Sequence, residues 1–182
     1  MDGRSLLPLL KSEKSGLIDP ARDHVIVGRE RHEALTRPDG MPYPMRAIRT
    51  TDFLYIRNFK PDRWPSGEPY DDLGPKGDPN SQGSGTVAWL VEHRNEPATK
   101  PVYELIYGKR PGEELYDLRK DPDQMGNVAG DPAYAVTKQE LAARLMAVLE
   151  KTKDPRLTDA FDKPPYVTGT AAAKKAKGKK KR

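Results

Sequence analysis

Apolar positions along the chain follow two kinds of spacing, and the helical one is the clearer. Leu141, Leu145, Val148 and Leu149 stand at i, i+4, i+7 and i+8, one stripe of a helix predicted from Thr137 to about Lys151. Thr137-Lys138-Gln139-Glu140 fits a capping box at its start, with Val136 and Leu141 placed as a hydrophobic staple. Upstream, the apolar residues come in short runs. Residues 45–48 and 53–57 predict a hairpin turned at Thr51-Asp52, and residues 103–107 alternate as a strand does. Residues 114–118 read as a half-buried strand, which Asp121-Pro122-Asp123 ends because proline fixes φ and stops the pairing. The expected fold class is α+β: a small antiparallel sheet of about four strands (45–48, 53–57, 103–107 and 114–118) packed by one C-terminal helix. One further run, His24-Val25-Ile26-Val27-Gly28, is β-branched and predicts a strand buried on both faces.

The connections are polar. Residues 11–22 read as a linker, and residues 60–101 as a long surface excursion in which only 86–94 offers a short helix or strand. Trp64 and Trp89 within it call for burial. From about Thr152 the helix gives way to a proline-rich arm, and residues 170–182 form an Ala/Lys/Gly tail expected to be disordered. Composition agrees: 182 residues at 35% hydrophobic and 32% charged suit one modest core, and the 18 prolines favour loops and short strands over a helical bundle.

Net charge is +5, which invites a nucleic-acid reading until its source is located. The tail from Lys174 to Arg182 carries seven cations and no acid, so the rest of the chain stands at −2 and lacks the broad basic footprint of a nucleic-acid-binding domain. Cysteine is absent, which excludes disulfides, thiolate metal sites and a cysteine nucleophile while leaving the compartment open. No stretch approaches the roughly 20 apolar residues of a membrane span. Leu6-Leu7-Pro8-Leu9-Leu10 is too short and wrongly flanked for a signal peptide.

Glu114-Leu115-Tyr116-Asp117-Leu118, Asp121-Pro122, Asn127 and Ala129 together resemble the E-L-Y-D-L-x-x-D-P-x-x-x-x-N-x-A segment near the C-terminus of sulfatases of the alkaline-phosphatase superfamily. Residues 1–10 are similar to the segment by which such chains leave their large domain. His32-Glu33, Tyr43-Pro44-Met45-Arg46 and Tyr55-Ile56-Arg57-Asn58 look like the heparan N-sulfatase (N-sulfoglucosamine sulfohydrolase) branch. The resemblance implies three parts: residues 1–33 as a remnant of a large α/β catalytic domain, with the 24–28 strand belonging to it; 34–152 as the C-terminal subdomain with an irregular insertion at 60–101; and 153–182 as an arm and basic tail. It further implies a parent that hydrolyses sulfate esters or sulfamates on a sulfated glycan such as heparan sulfate, a glycosaminoglycan. The family uses calcium and a formylglycine, both in the missing N-terminal domain, which is the expected partner. Its complete members are usually exported, periplasmic, extracellular or lysosomal.

No catalytic or metal-ligating residue is assignable here. No Ser opens the Ser-x-Pro-x-Arg motif from which the family makes its formylglycine, and Asp71-Asp72 sits in a Gly/Pro-rich loop that reads as solvated. The chain alone is therefore expected to be inactive. His32 and Glu33 are the substrate-binding candidates, since a carboxylate beside an imidazole can orient it and hold it cationic against a sulfated sugar; the plain alternative packs His32 under the following loop with Glu33 in water. Arg29 and Arg31 stand between pairing with substrate anions and lying on the surface. His24 reads as structural and His93 as solvated. The competing function is a non-catalytic accessory module that contacts anionic glycan or nucleic acid through the basic tail.

Overall fold

The structure, a computed structural model, describes residues 5–31, 41–65, 85–164 and 166–167. Its strands are β1 (His24–Arg29), β2 (Met45–Thr50), β3 (Phe53–Asn58) and β4 (Glu113–Asp117); its helices are α1 (Leu7–Leu10), α2 (Gly85–Glu92), α3 (Lys100–Tyr107) and α4 (Ala135–Lys151). The chain divides into two units. Met1–Gly28, Arg46–Arg57 and Glu113–Leu157 form the first; Arg29–Met45, Asn58–Gly112 and Thr158–Arg182 form the second. Among the described residues no helix is long and apolar enough to cross a membrane.

The first unit holds an antiparallel sheet in the order β1-β2-β3-β4, so the α+β expectation stands. β2 and β3 make the hairpin read from the sequence, its turn held by the Phe53 N–H donating to Thr50 Oγ1 at 3.0 Å. β3 pairs β4 with Tyr55 opposite Leu115. Both of those side chains are buried, as are Ala47 and Ile48, and so are Leu141, Leu145 and Leu149 along α4. These side chains are the core of the unit, each fully buried leucine contributing about 1.5–3 kcal/mol of transfer free energy. Val148, at the margin of the stripe, is half-buried.

Three expectations are corrected. Residues 103–107 are helical, not a strand: Pro101 sits in the first turn of α3 and Gly108 follows its last residue, the bracketing that favours a helix. A Cβ on Gly108 would run into the Glu104 carbonyl, so this helix end tolerates only glycine without a shift. The fourth strand is instead β1, which lies at the edge of the same sheet and not in a separate α/β domain. It is not buried on both faces, because Val25 and Val27 are 57% and 50% exposed. Finally, α4 begins two residues before Thr137, with no capping box. Asp131 accepts from the Ala133 N–H at 2.9 Å and starts a 3-10 turn, Pro132–Tyr134, that runs straight into α4. The helix therefore starts from the Asp-Pro signal upstream, and Val136 becomes an exposed helical residue instead of a staple.

In the second unit, Pro42, Tyr43 and Pro44 are buried, and the Phe59 N–H donates to the Pro44 carbonyl at 3.0 Å. Asn58 is held from both its backbone and its side chain, by Gly112 O at 2.9 Å and Pro111 O at 2.8 Å. Tyr103 and Tyr107 meet along one side of α3 with ring centroids 5.3 Å apart and planes tilted by 40°. Of the two tryptophans, Trp64 is half-buried under the Lys109 ammonium, whereas Trp89 on α2 keeps half its surface in water.

Candidate functional site

The segment from Glu113 to Ala129 folds as a closed unit of strand, turn and return. Leu118 N–H donates to Asp52 O at 2.8 Å, which ties the end of β4 to the hairpin turn. Asp121 accepts from the Gly126 N–H at 2.8 Å and closes the acidic turn; backbone N–H groups of Gly126 and Met125 hold its carboxyl below the usual range. Asn127 then returns beside β4. Its Oδ1 accepts from Leu115 N–H and Ala129 N–H, both at 2.9 Å, while Val128 N–H donates to Leu115 O at 2.8 Å. The outer edge of β4 is thereby hydrogen-bonded by a side chain and a short stretch of backbone.

Asp117, at the end of β4, is the most enclosed carboxylate of this segment. Arg119 grips it with Nε and Nη2 at 2.8 Å each, and the Tyr134 hydroxyl donates at 3.2 Å. The Arg119 side chain is the main cause that lowers its pKa to about 2, against desolvation, with the Arg119 N–H and Tyr134 assisting. The Arg119 guanidinium lies 4.6 Å over the Phe53 ring, itself edge-on to Tyr134. Each residue that carries the family resemblance here has a structural partner.

Two more polar clusters complete the first unit. Arg46 makes a bidentate pair with Asp154, Nε to Oδ2 at 2.7 Å and Nη2 to Oδ1 at 3.0 Å, and the Arg156 N–H donates to Asp154 Oδ1 at 2.9 Å. Burial would raise the Asp154 pKa, but these bonds and the charges of both arginines outweigh it and hold the carboxyl below its ordinary value. Arg46 crosses Gly28 of β1 on its way; a Cβ there would stand 2.8 Å from Arg46 Cδ. In the third cluster, His24 Nδ1 is 2.6 Å from Asp23 Oδ1, and Arg144 donates to both Asp23 oxygens at 2.7 and 2.9 Å. His24 and Arg144 hold Asp23 below the carboxylate range. An Asp–His pair is part of a nucleophile-activating set, but among the described residues no hydroxyl bonds to the His24 ring, and the structural reading of His24 is the one its partners support.

In the second unit, Lys60 pairs with Asp159 at 2.9 Å, and Arg63 with Asp162 at 2.7 Å and with the Pro42 carbonyl at 2.9 Å. His93 is not simply solvated: its ring stacks on Trp89 at 4.4 Å, with Nδ1 2.8 Å from the Trp89 carbonyl.

His32 and Glu33 lie outside the described residues, as do Asp71, Asp72 and the basic tail. Of their neighbours, Arg29 is exposed and Arg31 half-buried. The described residues do not fit a calcium site either. They hold no group of three His, Cys, Asp or Glu side chains able to bind an ion, and Asp159 and Asp162 are taken up by Lys60 and Arg63. The ion pairs Arg46–Asp154 and Arg144–Asp23 had no signal in the sequence, because their partners are 108 and 121 residues apart.

No family model matches the chain. It is 28% identical over 159 residues to an ulvan-active sulfatase of Formosa agariphila, a match covering 85% of this chain and 25% of that protein. Among solved structures, a candidate sulfatase of Bacteroides thetaiotaomicron superposes with a TM-score of 0.47 at 21% identity, over 92% of this chain and 24% of that one. A protein solved with its substrate D-glucosamine-2-N,6-O-disulfate gives 0.47 at 20% identity, over 89% and 21%. The chain spans about a quarter of the length of the curated sulfatase it matches, and over most of its own length it is sulfatase-like.

Proposed function

We propose that this chain is the C-terminal portion of a sulfuric ester or N-sulfate hydrolase acting on a sulfated glycan, similar to N-sulfoglucosamine sulfohydrolase, and that it catalyses nothing by itself. The observation that carries the reading is the match to a sulfatase along 85% of this chain and only 25% of the relative. The geometry of residues 113–129 supports it from another side: Asp117, Asp121 and Asn127 all hold backbone or neighbouring side chains, so the motif serves as scaffold and leaves chemistry to other parts. Attack on sulfur needs an activated nucleophile and a charge-stabilising cation. In this reading both belong to an N-terminal catalytic domain, and His32 and Glu33 line the substrate rim once that domain is present.

The test begins with the coding DNA upstream of the Met1 codon. An in-frame Cys/Ser-x-Pro-x-Arg there, and desulfation of N- or O-sulfated glucosamine by the joined protein but not by the 182-residue chain, is the expected result. Activity of the short chain alone, or none in the joined protein, would overturn the reading. In the joined protein His32→Ala should raise KM at nearly constant kcat, by the roughly 1.5–3 kcal/mol of a charged hydrogen bond; unchanged kinetics would remove His32 from the site.

A further inference from the structure

We propose that residues 158–167 form a releasable strap, fastened by ion pairs to the turn at residues 60–63, which opens and closes while α4 and its core stay folded. The chain after α4 is held in two different ways. As far as Arg156 it is locked, since Arg46 clasps the Asp154 carboxylate and Arg156 itself is 1% exposed. Beyond that point none of the described residues in 157–167 is buried. Asp159 takes a left-handed backbone, φ 52° and ψ 27°, a conformation that aspartate adopts more readily than most residues. The chain then closes on itself: the Asp162 N–H donates to Asp159 O at 3.0 Å, the Lys163 N–H to Ala160 O at 3.1 Å and the Val167 N–H to Lys163 O at 3.1 Å. A segment of local turns with little apolar burial is of the kind that opens at a free energy below that of global unfolding.

The fastening converges on one turn. Lys60-Pro61-Asp62-Arg63 is closed by the Arg63 N–H donating to Lys60 O at 3.0 Å, with proline at its second position. Both ends of the turn aim a cation at the arm. Lys60 Nζ lies 2.9 Å from Asp159 and 3.9 Å from Asp162, and Arg63 forks onto the Asp162 carboxylate at 2.7 and 3.4 Å. Arg63 also donates to the Pro42 carbonyl at 2.9 Å, a bond that orients its guanidinium without the arm. The two fastenings are unequal, because Asp162 and Arg63 keep only 12% and 18% of their side-chain surface in water whereas Asp159 keeps 49%. Arg63 with Asp162 is the clasp, and Lys60 with Asp159 is a screened helper. Opening strips both cations of these carboxylates beside Trp64, whose ring already carries the Lys109 ammonium, so the open form is the more cationic one. The proposal does not rest on the sulfatase reading, and its failure would leave that reading untouched.

Hydrogen exchange of the 182-residue chain tests it. The amides of Asp162, Lys163 and Val167 should be protected relative to a free peptide, yet exchange at least about 10-fold faster than the core amides of α4 at residues 141–149. Arg63→Ala should speed the arm amides by about a further 10-fold and leave residues 141–149 unchanged. Lys60→Glu should act in the same direction by less, and adding Asp159→Lys should recover much of its effect by restoring an opposite-charge pair. Arm amides that exchange like a free peptide, or at the α4 rate, overturn the proposal. So do variants that leave the arm rate unchanged or that speed α4 as much as the arm.

Discussion

Arg46 reaches Asp154 across 108 residues of sequence, and Arg119 reaches Asp117 across two. Both pairs are bidentate and both sit in the first unit, yet they do different things. Arg46 and Asp154 are nearly out of water on both sides, so the pair fastens the segment after α4 to β2. Arg119 keeps half of its side chain in solvent over an aromatic ring, and its pair stiffens a turn that proline and backbone bonds already define. The distant pair helps decide which fold forms; the local pair only tightens it.

That contrast can be broken. Arg46→Ala leaves the half-buried Asp154 carboxylate without its main partner and should cost up to about 3–5 kcal/mol in urea unfolding; a loss below about 1 kcal/mol would put the pair among weak surface bridges. Replacing both residues, Arg46→Met with Asp154→Leu, should recover most of that loss, because apolar groups of similar shape need no partner. Next in size comes Asn127→Ala, which strips the acceptor from the Leu115 N–H and should cost about 1–3 kcal/mol by the same measurement.

The smallest change is expected for Arg119→Ala, and added salt should shrink it further. Its signature is in pH. Asp117 is lowered from 3.8 to about 2, so it contributes stability that is present above pH 3.8 and is lost as pH falls toward 2. Arg119→Ala should flatten that acid limb of the stability profile, and an unchanged slope would show that other groups hold the Asp117 carboxyl down.

The legible parts of the fold were those where one spacing had one meaning. Leu141, Leu145 and Leu149 admit only a helix, and Thr51-Asp52 between two apolar runs admits only a hairpin. Residues 102–107 satisfied two templates, since six residues fit a period of two or of 3.6; Pro101 and Gly108 held the answer outside the run. β1 was misjudged because a β-branched run has the same composition in a central strand and at an exposed edge. At the start of α4, two capping signals lay six residues apart, and the upstream Asp131-Pro132 also set the turn before the helix. The motif at 114–129 was visible while its roles were not, because hydrogen bonds such as Asn127 to Leu115 depend on how the chain folds back.

Gly28, Arg46 and Asp154 lie on three separate stretches of chain but behave as a single inherited character. A side chain at 28 requires Arg46 to move or shorten, and a shorter residue at 46 abandons Asp154. Drift through single substitutions is therefore blocked in each direction, and an alignment of homologous chains should show these three positions changing together or not at all. Where a homologue carries alanine or larger at 28, an aliphatic residue at 46 and a neutral one at 154 should accompany it.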